Sequence, residues 1–140
     1  MLTIYRREKH SHLPLPLFVA GVTAGFPSPA DDYIEKPLDL NDLVVKHPHA
    51  TFYVRVEGDS MRDAGIASGD ILVVDRALAP THGKVVVALI EGEFTVKQIH
   101  IRDGVVTLMP ANAAYAPIVI KEGSDFQVWG VVTYVIHRTP

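Results

Sequence analysis

From residue 51 onwards, the chain consists of short runs rich in apolar and β-branched residues, some of which alternate with polar residues, and each run ends at residues that favour turns. The runs cover 51–57, 70–75, 84–90, 94–102, 105–109, 118–120 and 126–137. The breaks between them contain glycine, proline, aspartate or asparagine, each of which suits a turn for its own steric or hydrogen-bonding reason. Short strands at regular spacing predict a fold that is mostly β, a compact antiparallel β domain.

The pattern before residue 51 is different. The apolar stretch Leu13–Val22 contains two prolines near its start, so it is expected to be extended rather than helical. Residues 26–39 combine three prolines with acidic residues, which is typical of a hinge or linker. Asp39 precedes a short helical pattern that runs to Val45. We therefore expect an N-terminal arm at 1–39 and a β-rich domain at 40–140.

The candidate chemistry begins at a bend that follows the run 51–57. Gly58 has no Cβ and permits a sharp turn just before Asp59 and Ser60. A serine hydroxyl on such a turn is exposed, and the backbone N–H groups of Asp59 and Ser60 could face a developing oxyanion. The same residues also occur in ordinary turns, so the serine needs a base before it becomes a candidate nucleophile.

Lys97 is the candidate base because of its place in the alternating run 94–102. It falls on the same strand face as Ile99 and Ile101, which is an apolar setting for an amine. Burial disfavours the charged form and lowers the pKa of a lysine, although a lysine on a strand commonly extends to water. His82 and His100 are alternative bases, but His100 falls on the opposite strand face from Lys97.

Other classes of protein fit less well. The serine is not followed by the glycine of an α/β-hydrolase elbow, and no helix-rich pattern surrounds it. A net charge of −3 argues against a large basic face for nucleic acid, and the absence of cysteine excludes thiolate chemistry and disulfides. The basic start, the apolar run and Val22-Thr23-Ala24 resemble a secretory signal, which Pro14 and Pro16 weaken.

The remaining polar residues are weaker candidates. His47 and His49 flank a proline, but without cysteines or a helical His spacing a metal site is not favoured. Asp70 and Asp75 bracket an apolar run and are interpreted as turn residues at its ends. Tyr115 is a candidate exposed interaction residue.

Several motifs together resemble one family. The residues Val56-Glu57-Gly58-Asp59-Ser60-Met61, with Gly69–Asp75 and Gly92–Lys97, resemble the LexA/UmuD group of self-cleaving Ser–Lys peptidases. The resemblance extends over nearly the whole chain, including the arm. It implies that Ser60 is the nucleophile, that Lys97 is the general base, and that the backbone amides of Asp59 and Ser60 form the oxyanion hole. It also implies self-cleavage between Ala24 and Gly25, with no cofactor and no metal.

The resemblance carries expectations about biology as well. It implies a cytoplasmic SOS-response protein whose cleavage is stimulated by RecA on single-stranded DNA. The shortened form would join a UmuC-like subunit in an error-prone translesion DNA polymerase. Too little helical sequence precedes Thr51 for a helix-turn-helix domain, so direct sequence-specific DNA binding is not expected.

We also expect a homodimer, because the C-terminal run Phe126–Ile136 is apolar on both faces and needs cover on both. No membrane association is expected. Two alternatives stay open at this point: a non-enzymatic β-domain adaptor, and a fragment of a LexA-type repressor.

Overall fold

A computed structural model describes residues 3–6, 11–18, 25 and 35–140. These residues form two compact units, one made of the first strand with residues 47–140 and the other lying within 9–46. The elements, in chain order, are β1 (Thr3–Arg6), β2 (Pro14–Phe18), β3 (Glu35–Asp39), α1 (Leu40–Val44), β4 (Thr51–Arg55), β5 (Ile71–Asp75), β6 (Val85–Ile90), β7 (Glu93–Arg102), β8 (Val105–Met109), β9 (Ile118–Val119) and β10 (Phe126–Ile136).

The larger unit is one eight-stranded sheet in the order β1-β4-β5-β10-β6-β7-β8-β9. Every neighbouring pair is antiparallel, which confirms the fold class that the alternating pattern predicts. The long strand β10 joins the two halves of the sheet, because its first part pairs with β6 and its second part with β5. A Cβ at Gly130, in the middle of β10, would lie 2.5 Å from Val74 Cγ1, so only glycine fits there.

Strand β6 is buried on both faces. Val87 belongs to one apolar cluster with Val54, Leu72 and Val96, while Val86 belongs to a second cluster with Ile99 and Leu108. Side chains of successive strand residues point to opposite faces, so these two clusters lie on the two sides of the sheet. On the neighbouring strand β7, Val96, Lys97 and Ile99 are buried.

The smaller unit is a two-stranded ribbon of β2 and β3 followed by α1. Pro14 lies opposite Asp39 and Phe18 opposite Glu35, so residues 19–34 connect the two strands. Asp39 accepts the backbone N–H of Asn41 at 3.0 Å and so caps α1, as the sequence predicts. Gly25 is an exposed bend within the connection, and Ala24 lies outside the described residues.

The predicted strands of the β domain agree with the structure to within about two residues, whereas two strands nearer the N-terminus were not predicted. The sequence predicts an N-terminal arm that includes 3–6 and a linker that includes 35–39. Each forms a strand by pairing with a distant partner, β1 with β4 and β3 with β2, which local alternation cannot reveal. The division at residues 39 and 40 stays a prediction.

Asp70 and Asp75 accept turn N–H groups, as their interpretation as turn residues requires. Both are also buried, and each pairs with a histidine at 2.6 Å, Asp70 with His137 and Asp75 with His47. Among the helices of the described residues, none has the length and apolar character needed to cross a membrane.

Candidate active site

The loop that carries Ser60 is shaped by a glycine and anchored by a methionine. Gly58 has φ of 96°, a conformation that favours glycine, and its N–H donates to Ser68 Oγ at 3.1 Å. Met61 is 2% exposed and belongs to the first apolar cluster. Because Met61 is buried and Asp59 is exposed, Ser60 is held half-buried at the edge of the core.

A second loop, at residues 111–115, is hydrogen-bonded to the loop that carries Ser60. The Ala111 N–H donates to the Ser60 carbonyl at 2.8 Å, and Asn112 Nδ2 donates to the Asp59 carbonyl at 2.9 Å. Tyr115 Oη donates to Asp59 Oδ1 at 2.7 Å. That hydrogen bond to a carboxylate raises the pKa of Tyr115. One loop thus holds the backbone and side chain of Asp59 and the backbone carbonyl of Ser60.

Lys97 reaches the serine from β7. Lys97 is only 7% exposed, and this burial lowers the pKa of its amine. Lys97 Nζ lies 3.0 Å from Ser60 Oγ, 2.7 Å from Thr95 Oγ1 and 3.1 Å from the Val96 carbonyl oxygen. An ammonium donates to all three oxygens. A neutral amine keeps two N–H groups for Thr95 and Val96, and its lone pair can then accept the Ser60 O–H.

A cleft of about 140 Å³ opens beside the serine. It is lined by Val56, Glu57, Gly58, Ser60, Met61, Phe94, Thr95 and Val96. Among the hydrogen bonds formed by the described residues, none uses the N–H of Asp59 or Ser60 as donor. An oxyanion hole needs N–H groups without a partner inside the protein, and within the described residues these two amides meet that condition.

The two alternative bases are engaged elsewhere. His82 Nδ1 accepts the Ile101 N–H at 2.9 Å, and His100 Nε2 lies 2.8 Å from Gln98 Oε1. The two imidazole rings contact each other in a tilted arrangement, with centroids 5.0 Å apart and an interplanar angle of 52°. The lysine, rather than either histidine, is the residue that contacts Ser60 Oγ.

One group of side chains in the described part of the chain could hold a metal ion: His12, Asp39 and Asp42, with ligand atoms within 4.8 Å of one another. Asp39 already accepts N–H groups of Leu13 and Asn41, and His12 Nδ1 lies 2.9 Å from it. The Leu13 N–H contributes most to lowering the pKa of Asp39. These bonds place Asp39 and His12 at the capped start of α1.

Sequence reasoning missed two supporting residues. Thr95 lies two residues before Lys97 on the same strand face, so alternation alone could have identified it as a neighbour. Asn112 is 53 residues from Asp59 and lies in a segment that reads only as a turn. No local signal connects it with the serine loop.

Comparison with known proteins finds similar sequences over most of the chain. Residues 16–133 match the family described as Peptidase S24-like. Protein SamA of Salmonella typhimurium is 48% identical over 124 residues, which cover 89% of this chain and 86% of SamA. Protein MucA of Escherichia coli is 42% identical over 127 residues, covering 90% of this chain and 86% of MucA.

A LexA repressor of Clostridium perfringens is 38% identical over 117 residues, which cover 84% of this chain and 57% of the repressor. The resemblance to the LexA/UmuD group is therefore confirmed over most of the chain. On the extent of the family match and the identity to these relatives, the chain belongs to the S24-like peptidase family.

Proposed function

We propose that this protein is a serine endopeptidase that cleaves its own chain between Ala24 and Gly25. The observation that carries the proposal is the 3.0 Å distance between Lys97 Nζ and Ser60 Oγ, with Lys97 itself buried. A neutral lysine within hydrogen-bond distance can remove the hydroxyl proton and make the serine a nucleophile.

The reaction proceeds in two halves. Ser60 Oγ attacks the Ala24 carbonyl carbon, Lys97 takes the hydroxyl proton, and the N–H groups of Asp59 and Ser60 stabilise the oxyanion. The Lys97 ammonium then protonates the Gly25 nitrogen as the peptide bond breaks, leaving Ala24 as an ester on Ser60. Water, deprotonated by Lys97, hydrolyses that ester, so one water is consumed and the serine is restored.

The size of the cleft supports this choice of bond. A volume of about 140 Å³ suits small side chains, and the bond joins an alanine to a glycine. Both residues belong to the connection between β2 and β3, where Gly25 is exposed. Cleavage requires this bond to enter the cleft with the Ala24 carbonyl carbon facing Ser60 Oγ.

The biological setting is proposed from the relatives. We infer a role in SOS mutagenesis, with RecA on single-stranded DNA as the stimulus and a UmuC-like polymerase subunit as the partner of the shortened chain. A homodimer through β10 is also proposed, because Tyr134, Val135 and Ile136 are each more than a third exposed at its end. A non-enzymatic adaptor remains the competing function, and it requires no reaction at Ser60.

The test is incubation of the purified full-length chain at alkaline pH, followed by mass spectrometry of the products. We expect a fragment ending at Ala24 and a chain beginning at Gly25. Ser60→Ala should give neither product, and Gly25→Glu should prevent cleavage by crowding the approach of the serine. Ser124→Ala, which alters a serine in a distant turn, is the matched control and should cleave normally.

The same variants separate self-cleavage from processing by another peptidase. If Ser60→Ala cells that lack a wild-type copy still form a chain beginning at Gly25, the peptidase is foreign. In that case the adaptor function is favoured, and the Ser60–Lys97 arrangement has no part in the cut.

A further inference from the structure

The outer edge of β4 is covered by the N-terminus of the same chain. β4 pairs on one side with β5 and on the other with β1, which is the last strand of the sheet. If β1 leaves, β4 becomes the edge strand. The pairing is antiparallel and places Thr3 opposite Arg55 and Tyr5 opposite Tyr53.

The direction of the β4 backbone groups follows from two hydrogen bonds at its ends. The Val56 N–H donates to the Asp70 carbonyl at 2.9 Å, and the Arg76 N–H donates to the Ala50 carbonyl at 2.8 Å. Even-numbered residues of this strand therefore bond toward β5. Since successive residues point their N–H and C=O groups to opposite edges, Tyr53 must bond toward β1.

The same alternation applies to Thr51 and Arg55, so three residues of β4 present donor and acceptor groups to the outside. The sequence Thr51–Arg55 is rich in β-branched and aromatic residues, which favour strands. An edge of this composition readily pairs with another strand, and natural proteins usually protect it. Here the protection is a segment of four residues, Thr3–Arg6.

That protection depends on an intact chain. Residue 6 is joined to residue 51 through a path that includes the Ala24–Gly25 bond. While the path is continuous, β1 pairs with β4 intramolecularly, at an effective concentration on the order of millimolar. After a cut, the strand belongs to a separate short fragment and can be exchanged for another.

We propose that the outer edge of β4 is a strand-accepting site for an extended segment of a partner protein, occupied by residues 3–6 until the chain is cut. The opening of the site rests on the proposed self-cleavage, whereas the capacity of the edge to accept a strand does not. The partner segment runs antiparallel to β4 and carries N–H groups, not prolines, opposite Tyr53 and Arg55. Its chemistry is that of the strand it replaces, Thr3–Arg6, in which two β-branched residues are followed by an aromatic residue and an arginine.

The experiment uses the full-length chain with Ser60→Ala, so that no self-cleavage occurs. The probe is a synthetic peptide of residues 1–8 with a fluorescent label at its C-terminus. A second protein adds Tyr5→Pro, which removes the N–H that the internal strand donates to β4. We expect the peptide to bind the Tyr5→Pro protein at least about tenfold more tightly, because the internal competitor is weakened.

Matched peptides test the direction of the hydrogen bonds. Methylation of the Tyr5 backbone nitrogen should abolish binding, because that N–H faces β4. Methylation at Ile4, whose N–H faces away, should leave binding within about twofold. In the protein, Tyr53→Pro should abolish binding while Tyr53→Ala, which keeps the N–H, should retain it. Thermal unfolding of each variant checks that the sheet remains folded.

Equal binding to the Ser60→Ala protein with and without Tyr5→Pro would overturn the proposal. So would equal binding of the two methylated peptides, or no binding at millimolar peptide. None of these results depends on cleavage, so the strand-accepting site and the self-cleavage can fail separately.

Discussion

The two units of the chain each contain a buried charged side chain, and the two behave in opposite ways. Asp39 in the smaller unit is 6% exposed, and Lys97 in the larger unit is 7% exposed. The pKa of both is lowered. For the carboxyl group a lower pKa means that it stays charged, whereas for the lysine it means that the neutral form is favoured.

The hydrogen-bond partners explain the difference. Asp39 accepts backbone N–H groups from Leu13 and Asn41 and lies beside His12, so its negative charge is compensated. Lys97 donates to neutral oxygens, and its pKa is lowered by burial. With similar burial, Asp39 therefore stays charged and holds the start of α1, whereas Lys97 can lose its proton.

The largest expected effect is at Lys97. Lys97→Ala should reduce self-cleavage by at least about 100-fold, because Ser60 loses its general base. Lys97→Arg should lose as much, since a guanidinium stays protonated. Rates are measured by gel densitometry of the full-length chain, with Lys84→Ala as the control for an exposed lysine. Wild-type cleavage in Lys97→Ala, with His82→Ala inactive, would assign the base to the histidine instead.

The pH dependence of the self-cleavage rate tests whether the neutral form of Lys97 is the active one. Below the pKa of Lys97 only a small fraction of the amine is neutral, so the rate should rise about tenfold per pH unit. Because burial lowers this pKa, the rise should end below the ordinary lysine value of about 10.4. Rates of the purified chain at a series of pH values give the profile. A midpoint near the ordinary histidine value would contradict the assignment.

A smaller effect on the cleavage rate is expected from the loop at residues 111–115. Asn112→Ala removes the donor to the Asp59 carbonyl, and Tyr115→Phe removes the donor to its carboxylate. We expect rate losses of about tenfold or less, because the amides of the oxyanion hole are misaligned while Ser60 and its base remain. The midpoint of the pH profile should not move. Ala113→Ser is the control, and full rates in both loop variants would show that the loop has no positioning role.

The smallest effect is expected at Asp39. Asp39→Ala should accelerate amide hydrogen exchange at Leu13 and Asn41 about fivefold, because the cap of α1 is lost. The contribution of Asp39 is present above the ordinary carboxyl pKa and is lost as the pH falls through its lowered value. Asp42→Ala, an exposed carboxylate one turn away, is the control. Equal protection in the two variants would show that burial alone holds this segment.

Much of the larger unit could be predicted from the sequence because its signals are local. Alternation identified the strands from Thr51 to Ile136 and placed Lys97 on an apolar strand face. The bend at Gly58 and the cap at Asp39 are also local, since each depends on a residue's own backbone or on a neighbour two positions away. Such features are properties of short segments and need no knowledge of the fold.

Only the tertiary structure decided which segments meet. The contact of Ser60 with Lys97 spans 37 residues, and that of Asp59 with Asn112 spans 53. The pairing of β1 with β4 joins residues about as far apart in the chain. Periodicity shows which face of a strand is apolar, but not which strand lies beside it. That choice depends on packing and on hydrogen bonds between distant segments, which form only when the whole sheet is assembled.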